Sequence, residues 1–387
     1  MAMGEVVTMG DFDRFSNHPI LPMEQLEEFR TSWWQAPSMT APLKIALLEL
    51  CGFHDECLYS QVRFIKEHGD HDLHLFATER IKDRVQHFPG LDSSYFFPNE
   101  KLSLSQLLWL RRRLISEGFH KVVINSASGK NVRNFLLLPY PERLEFVGVI
   151  HDIQRLRKSF DQRLISRRIK KYFVLNDYLL HPCSRYRLGS FYPIFFPPVE
   201  SQACPKREGE LWVTIPGRIE ARRRDYDLLF RTLKAHPVAK STKFILLGGG
   251  SEKHGVGHEV RLRIEEMGLL DQFVMWENFV PVPTFHSYLA HSDYIMPLVS
   301  LQRNEGLRYN QQITGAFNLG IAYKIPFLMD SHFETFEDFR ANSVFYNEAD
   351  LGEVLQNLTA PAPGRYYQEA KWSFEAQQER YWKLLQA

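Results

Sequence analysis

Arginines in one loop and a glycine at one helix start are the residue types here best suited to holding a phosphate. Pro216-Gly217-Arg218-Ile219-Glu220 leads directly into Arg222-Arg223-Arg224, so a strand ending in Gly-Arg is followed by three more guanidinium groups. Arginine forks grip phosphate oxygens bidentately, and a diphosphate leaving group without a metal needs such cations. Further along, Thr314-Gly315 opens an apolar helix. A helix start leaves N–H groups unpaired at the positive end of the helix dipole, and glycine permits close approach of an anion. A solvated basic loop beside an ordinary helix is the alternative reading of the arginines.

A second set of residues is suited to proton transfer. His151-Asp152 follows an apolar strand, where an imidazole can bond a reacting group or take a proton from a hydroxyl. A structural histidine bonded to backbone is the plainer alternative. His54-Asp55-Glu56 follows the first strand; Glu56 is a candidate base, against helix capping by Asp55 with a surface histidine. His68, His71 and His74 surround a Gly-Asp turn and point in divergent directions, which argues against a metal site. Residues 153–173 carry eight basic side chains against Asp161, with apolar residues at helical spacing. That pattern predicts one basic amphipathic helix, packed inward or docked on anionic lipid.

The elements that must position these residues alternate. Residues 43–50 (LKIALLEL), 73–76, 121–125, 144–150 and 172–175 read as buried strands, separated by helical patterns. Pro193, Pro197 and Pro198, followed by a polar run, interrupt both periodicities. Strands then resume at 211–215, 244–247, 273–276, 294–298 and 325–328, each followed by a helix. Strand–helix alternation predicts parallel, doubly wound sheets, so the fold class is α/β with two Rossmann-like domains facing across a cleft. The expected divisions are an extension at 1–40, a first domain at 41–198, a second at 205–362, and a C-terminal helix at 363–387 packing back on the first domain.

With 44% hydrophobic and 24% charged residues and a net charge of +1, the composition is that of a soluble globular protein and not of a nucleic-acid-coating one. The four cysteines form no C-x-x-C pair, which suits a reducing cytoplasm. The first forty residues lack the order of a signal peptide. No apolar run approaches the ~20 residues of a spanning helix. A soluble or peripheral protein is expected, at most at the inner face of a membrane.

The block from Gly217-Arg218 with Arg223, through the glycine turn 248–250, Phe279-Val280-Pro281 and residues 293–297, to residues 305–326, resembles the donor half of GT-B glycosyltransferases. It is most similar to the large retaining family, family 4. The resemblance covers nearly all of 211–360; the first domain matches only in outline and at His151-Asp152. It implies a nucleotide-diphosphate sugar bound by Gly217, Arg218, Arg223, Gly249, Glu305, Thr314 and Gly315, with Glu305 on the sugar or ribose. His151, Asp152 and Glu56 would serve the acceptor, a glycan or lipid-linked molecule. No cofactor and no metal are implied, and Asp225-Tyr226-Asp227 reads as a helix cap and not as a metal-binding D-x-D. The family carries a second glutamate eight residues after the first; here Ile313 stands there and Thr314-Gly315 follows, which leaves the stereochemistry open. Cell-surface polysaccharide or glycoconjugate synthesis is the implied setting. The alternatives are a non-catalytic partner of an active transferase and a nucleotide-sugar epimerase.

Overall fold

The computed structural model describes residues 20–21, 42–180, 185–200, 202–221, 223–249, 256–299 and 309–387. Glu305, Gly250, Arg222 and nearly all of 1–40 therefore lie outside the described residues. The described chain separates into two compact units: residues 42–197 with 373–387, and Ile20–Leu21 with 198–372.

The first unit is built on seven parallel strands: β1 (Lys44–Glu49), β2 (Asp72–Thr78), β3 (Ser93–Phe97), β4 (Lys121–Ile124), β5 (Glu145–Val149), β6 (Lys171–Val174) and β7 (Arg187–Ser190). Their order is β3-β2-β1-β4-β5-β6-β7. A parallel sheet covered on both faces requires unbroken apolar runs, and Ile45 to Leu48 are fully buried accordingly. Helices α1 (Leu58–Lys66), α2 (Leu104–Ser116) and α3 (Gly129–Leu136) connect the early strands. Ser103 and Gln106 form a capping box that fixes the start of α2.

Residues 153–173 do not form one helix. They form α4 (Arg155–Lys158) and α5 (Phe160–Ile165), then enter β6. Ser159 adopts an extended ψ of 127° and accepts the Gln162 N–H at 3.2 Å, so it ends one helix and caps the next. Its capping tendency outweighs the helical spacing of the apolar residues.

The C-terminal helix Phe374–Gln386 belongs to the first unit. Tyr381 stacks on Phe173 at 4.6 Å, and the Trp382 indole donates to the Phe64 carbonyl at 2.7 Å. Gln377 accepts the Tyr192 N–H at 2.9 Å, which pairs an otherwise orphaned amide.

The second unit holds β8 (Leu211–Pro216), β9 (Thr242–Gly249), β10 (Phe273–Trp276), β11 (Tyr294–Ile295), β12 (Phe327–Asp330) and β13 (Ser343–Tyr346). All are parallel, in the order β10-β9-β8-β11-β12-β13. Its longer helices include α6 (Tyr226–Ala235), α7 (Val256–Glu266), α8 (Val282–Ala290) and α9 (Gly315–Ala322) between strands, with α10 (Leu351–Gln356) after β13. Among the described residues no helix is long and apolar enough to cross a membrane.

In each sheet the strand order reverses once, between β1 and β4 and between β8 and β11. Connections leave in opposite directions there, and the crevice that opens at the carboxyl ends is where such sheets take ligands.

Gly148, near the end of β5, keeps the first crevice in register. A Cβ there would lie 2.5 Å from that of Ala127 and 3.0 Å from the Tyr172 ring. Gly148→Ala is expected to lower unfolding free energy by about 1–3 kcal/mol through overpacking. Urea denaturation measures it, and an unchanged midpoint would show that the contact relaxes freely.

Candidate active site

At the first crevice, β1 ends on Glu49, whose side chain is fully buried. One carboxylate oxygen accepts the Cys51 N–H at 2.8 Å; the other accepts Asn125 Nδ2 at 2.7 Å and Ser126 Oγ at 2.6 Å. Asn125 also donates to the His54 carbonyl at 2.9 Å, and its own Oδ1 accepts from Gln61 at 2.6 Å. A single acid thus ties the end of β1 to the turn after β4. Burial pushes its carboxyl up to about 6, against the lowering effect of the Ser126, Asn125 and Cys51 hydrogen bonds.

This network places two imidazoles face to face. His54 sits in the left-handed region (φ 62°), a costly conformation for a non-glycine residue that is found at functional sites. Its ring stacks on that of His151 with centroids 3.8 Å apart and planes inclined by 15°. His151 Nε2 lies 2.8 Å from the Asn125 carbonyl and so carries the proton, while His54 Nδ1 lies 3.3 Å from Glu56 Oε1. Burial drives His151 down to about 3, and the neighbouring His54 adds to the effect. Burial also opposes a charge on His54, but the Glu56 hydrogen bond and the charges of Glu56, Glu49 and Asp55 outweigh it and raise that imidazole. Two stacked rings cannot both be cations, so His151 stays neutral while His54 takes the proton.

Of the residues expected from sequence, His151 and Glu56 both reach this cluster, joined through His54. Asp152 does not bond His151; its Oδ1 accepts the Gln154 N–H at 3.0 Å and its Oδ2 lies 3.9 Å from Arg155. Glu49, Asn125 and Ser126 were not singled out as site residues from sequence. A charged residue inside the run LKIALLEL, otherwise wholly apolar after Lys44, was the available signal for Glu49.

The second crevice is basic. Gly217 follows β8 with φ +95°, and a Cβ on Gly248 would lie 2.1 Å from the Gly217 carbonyl, so the two backbones meet only because residue 248 is glycine. Arg224 is buried and donates to the Pro216 carbonyl and, at 3.2 Å, to the Pro297 carbonyl, clamping the segments that leave β8 and β11. Arg223 lies 3.3 Å from Glu220 and hydrogen-bonds Tyr309. Arg218 is exposed and has no ion-pair partner among the described residues. Gly249 closes β9 opposite Trp276, after a bulge. Asp225 caps α6 by accepting the Leu228 N–H at 3.0 Å.

Helix α9 begins after β11, the strand beside β8. Thr314 Oγ1 caps the Ala316 N–H at 3.5 Å and its carbonyl takes the Phe317 N–H at 3.0 Å. The Gly315 N–H is left unpaired among the described residues, and nothing stands within 4 Å of where a Cβ on Gly315 would be. Asn318, one turn on, is 2% exposed with neither amide atom hydrogen-bonded. A buried carboxamide with neither atom paired is costly.

The histidines near the Gly-Asp turn have partners of their own. His68 stacks on Trp382 at 3.8 Å and meets His71 Nε2 at 3.3 Å, while His74 bonds Ser93 Oγ at 2.7 Å. Among the described residues no three His, Cys, Asp or Glu side chains group as metal ligands.

No protein-family model matches the chain, and no curated protein matches it. Solved structures do match. Sucrose-phosphate synthase from Thermosynechococcus elongatus aligns with a TM-score of 0.55 at 14% identity, over 88% of this chain and 94% of that one. Anabaena HepE, solved with UDP and glucose, aligns with a TM-score of 0.55 at 14% identity over 89% and 95%. A UDP-N-acetylglucosamine 2-epimerase aligns with a TM-score of 0.57 at 10% identity over 90% and 95%. These likenesses establish the fold, two parallel-sheet α/β domains of the GT-B type.

Glu49 gives the first crevice a pH signature. Its carboxyl is raised from 4.5 to about 6 in the folded protein, so its stabilising contribution is full below 4.5 and lost as pH rises through 6. The loss amounts to about 2 kcal/mol, and Glu49→Gln abolishes it. The unfolding free-energy difference between wild type and variant, followed by urea titration from pH about 4 to about 7, should shift in the variant's favour. A pH-independent difference would mean that Glu49 is not a buried, proton-holding acid.

Proposed function

We propose that this protein transfers a sugar from a nucleotide-diphosphate sugar to a hydroxyl of a glycan or lipid-linked acceptor, without a metal, in cell-surface polysaccharide or glycoconjugate synthesis. The observation that carries the reading is the chemistry found at the two reversal points. One holds unspent cationic and N–H groups, and the other an imidazole–carboxylate pair. The GT-B fold, shared with glycosyltransferases at low identity, supports it.

The diphosphate rests on the Gly315 N–H at the positive end of α9 and against Arg218, with Arg223 shared between it and Glu220. On the acceptor side, His54 is the base. Glu56 holds its Nδ1–H, which leaves Nε2 free to take the hydroxyl proton. The acceptor oxygen forms a bond to the anomeric carbon as the carbon–oxygen bond to the diphosphate breaks, and the leaving group's charge falls on the cations of the second domain. His151 remains neutral beneath His54, so no second positive charge opposes protonation of the base. A single displacement of this kind inverts the anomeric centre, which proton NMR of the product reads directly.

Titration with UDP, GDP and dTDP should show binding by at least one. Gly315→Ala, with open space around its new methyl, should keep the wild-type melting temperature and weaken that binding about tenfold. Gly248→Ala should weaken it while also destabilising the fold, because the methyl meets backbone. No nucleotide bound, or equal affinity in Gly315→Ala, would exclude the helix end as the diphosphate site.

Donor turnover should rise with pH through the His54 pKa. His54→Ala should lower it about a hundredfold or more. In Glu56→Gln the loss of the raising charge lets burial lower His54, so the acid limb of the rate profile moves to lower pH. An unmoved limb would remove Glu56 from the mechanism.

A further inference from the structure

In the first domain, α4, α5 and the segment entering β7 line an open cavity of about 580 Å³, within the size range of small-molecule sites. It is lined by Ile153, Leu156, Tyr186 and Leu188 and by three arginines, Arg157, Arg163 and Arg185. Ile153, Leu156 and Tyr186 are buried and form the apolar part, while the arginines are exposed at its rim.

None of the three guanidinium groups has an ion-pair or hydrogen-bond partner among the described residues. Several basic neighbours are committed elsewhere: Lys171 to Glu145, Lys170 to the Ser166 carbonyl at 2.7 Å, and Arg168 over the Tyr140 ring at 5.4 Å. The nearest acid in sequence, Asp161, is held by Arg133 at 2.8 Å. Residues 181–184 read His-Pro-Cys-Ser and contribute no carboxylate. Three like charges gathered at one rim repel one another, and a polyanion relieves that repulsion. A diphosphate carries a comparable charge and presents oxygens that guanidinium forks bind bidentately. The apolar lining beneath the rim suits a hydrocarbon substituent better than a sugar.

We propose that this cavity binds the phosphate or diphosphate of a ligand whose substituent is apolar, and that this ligand is the acceptor. The second clause rests on the transfer reading above; the binding itself does not.

Calorimetric titration of the full chain tests it, using farnesyl diphosphate, pyrophosphate and glucose 6-phosphate as probes and with UDP titrated separately. Farnesyl diphosphate should bind at least about tenfold more tightly than pyrophosphate. The exposed triple variant R157Q/R163Q/R185Q should weaken farnesyl diphosphate at least about tenfold and leave UDP affinity unchanged. Leu188→Ser should reduce only the advantage of the farnesyl group. Equal binding by wild type and triple variant, or no binding by any probe, overturns the site. Glucose 6-phosphate matching farnesyl diphosphate overturns the apolar substituent and identifies a soluble sugar phosphate. Failure of UDP to bind wild type overturns the donor reading alone, since the arginine-dependent farnesyl diphosphate signal is measured independently of it.

Discussion

Where each sheet reverses direction, one buried charged side chain joins the ends of its two central strands. In the first domain it is Glu49, accepting from Cys51, Asn125 and Ser126. In the second it is Arg224, donating to the carbonyls of Pro216 and Pro297. A buried charge is tolerable only when fully hydrogen-bonded, and strand ends at a reversal point offer the unpaired backbone groups that can do this. The sign of the central charge sets the character of its surroundings. The charge of Glu49 adds to the Glu56 hydrogen bond and charge that raise the His54 imidazole; Arg224 leaves no room for a side chain on Gly217, whose Cβ would lie 2.9 Å from its Nη2.

The stacked histidines follow from that arrangement. The Asn125 side chain is fixed by Glu49 and Gln61, its carbonyl fixes the tautomer of His151, and His151 provides the surface on which His54 rests. The left-handed backbone at His54 is held by the Asn125 bond to its carbonyl and by the start of α1 close behind. Strain at one residue is thereby maintained by a buried network that has no strain of its own.

The architecture was legible because parallel strands are buried on both faces and read as continuous apolar runs. Residues 43–50, 121–125 and 211–215 announce β1, β4 and β8 in this way, and alternation with helices supplies the doubly wound topology. Ser159 shows the limit of periodicity. Its neighbours keep helical spacing, yet a local cap hydrogen bond splits the segment, and spacing carries no record of which serine will cap. His151 was legible as a strand-end imidazole. Its neutrality was not, because that comes from burial and from a histidine almost a hundred residues earlier. Glu49 showed only as the one acid in an apolar strand run, and no local rule tells a buried, network-forming acid from a strand's last polar residue.

The arginine run shows why charge counting misleads about a phosphate site. Residues 222–224 offer three cations in sequence, but Arg224 is consumed by carbonyls that hold β8 to β11, and Arg223 is shared with Glu220 and Tyr309. Among the described cations of this loop only Arg218 is left without a partner. Beside Arg218, the described positive potential at the second crevice is backbone potential, from the Gly315 N–H and the dipole of α9 behind it. Backbone donors cannot be removed by side-chain substitution and cost no side-chain entropy when a ligand arrives. An exposed glycine at that helix start keeps them accessible. On the reading proposed above, such a site recognises the shape and charge of a phosphate group through main chain and leaves to the surrounding side chains the choice of what the phosphate carries.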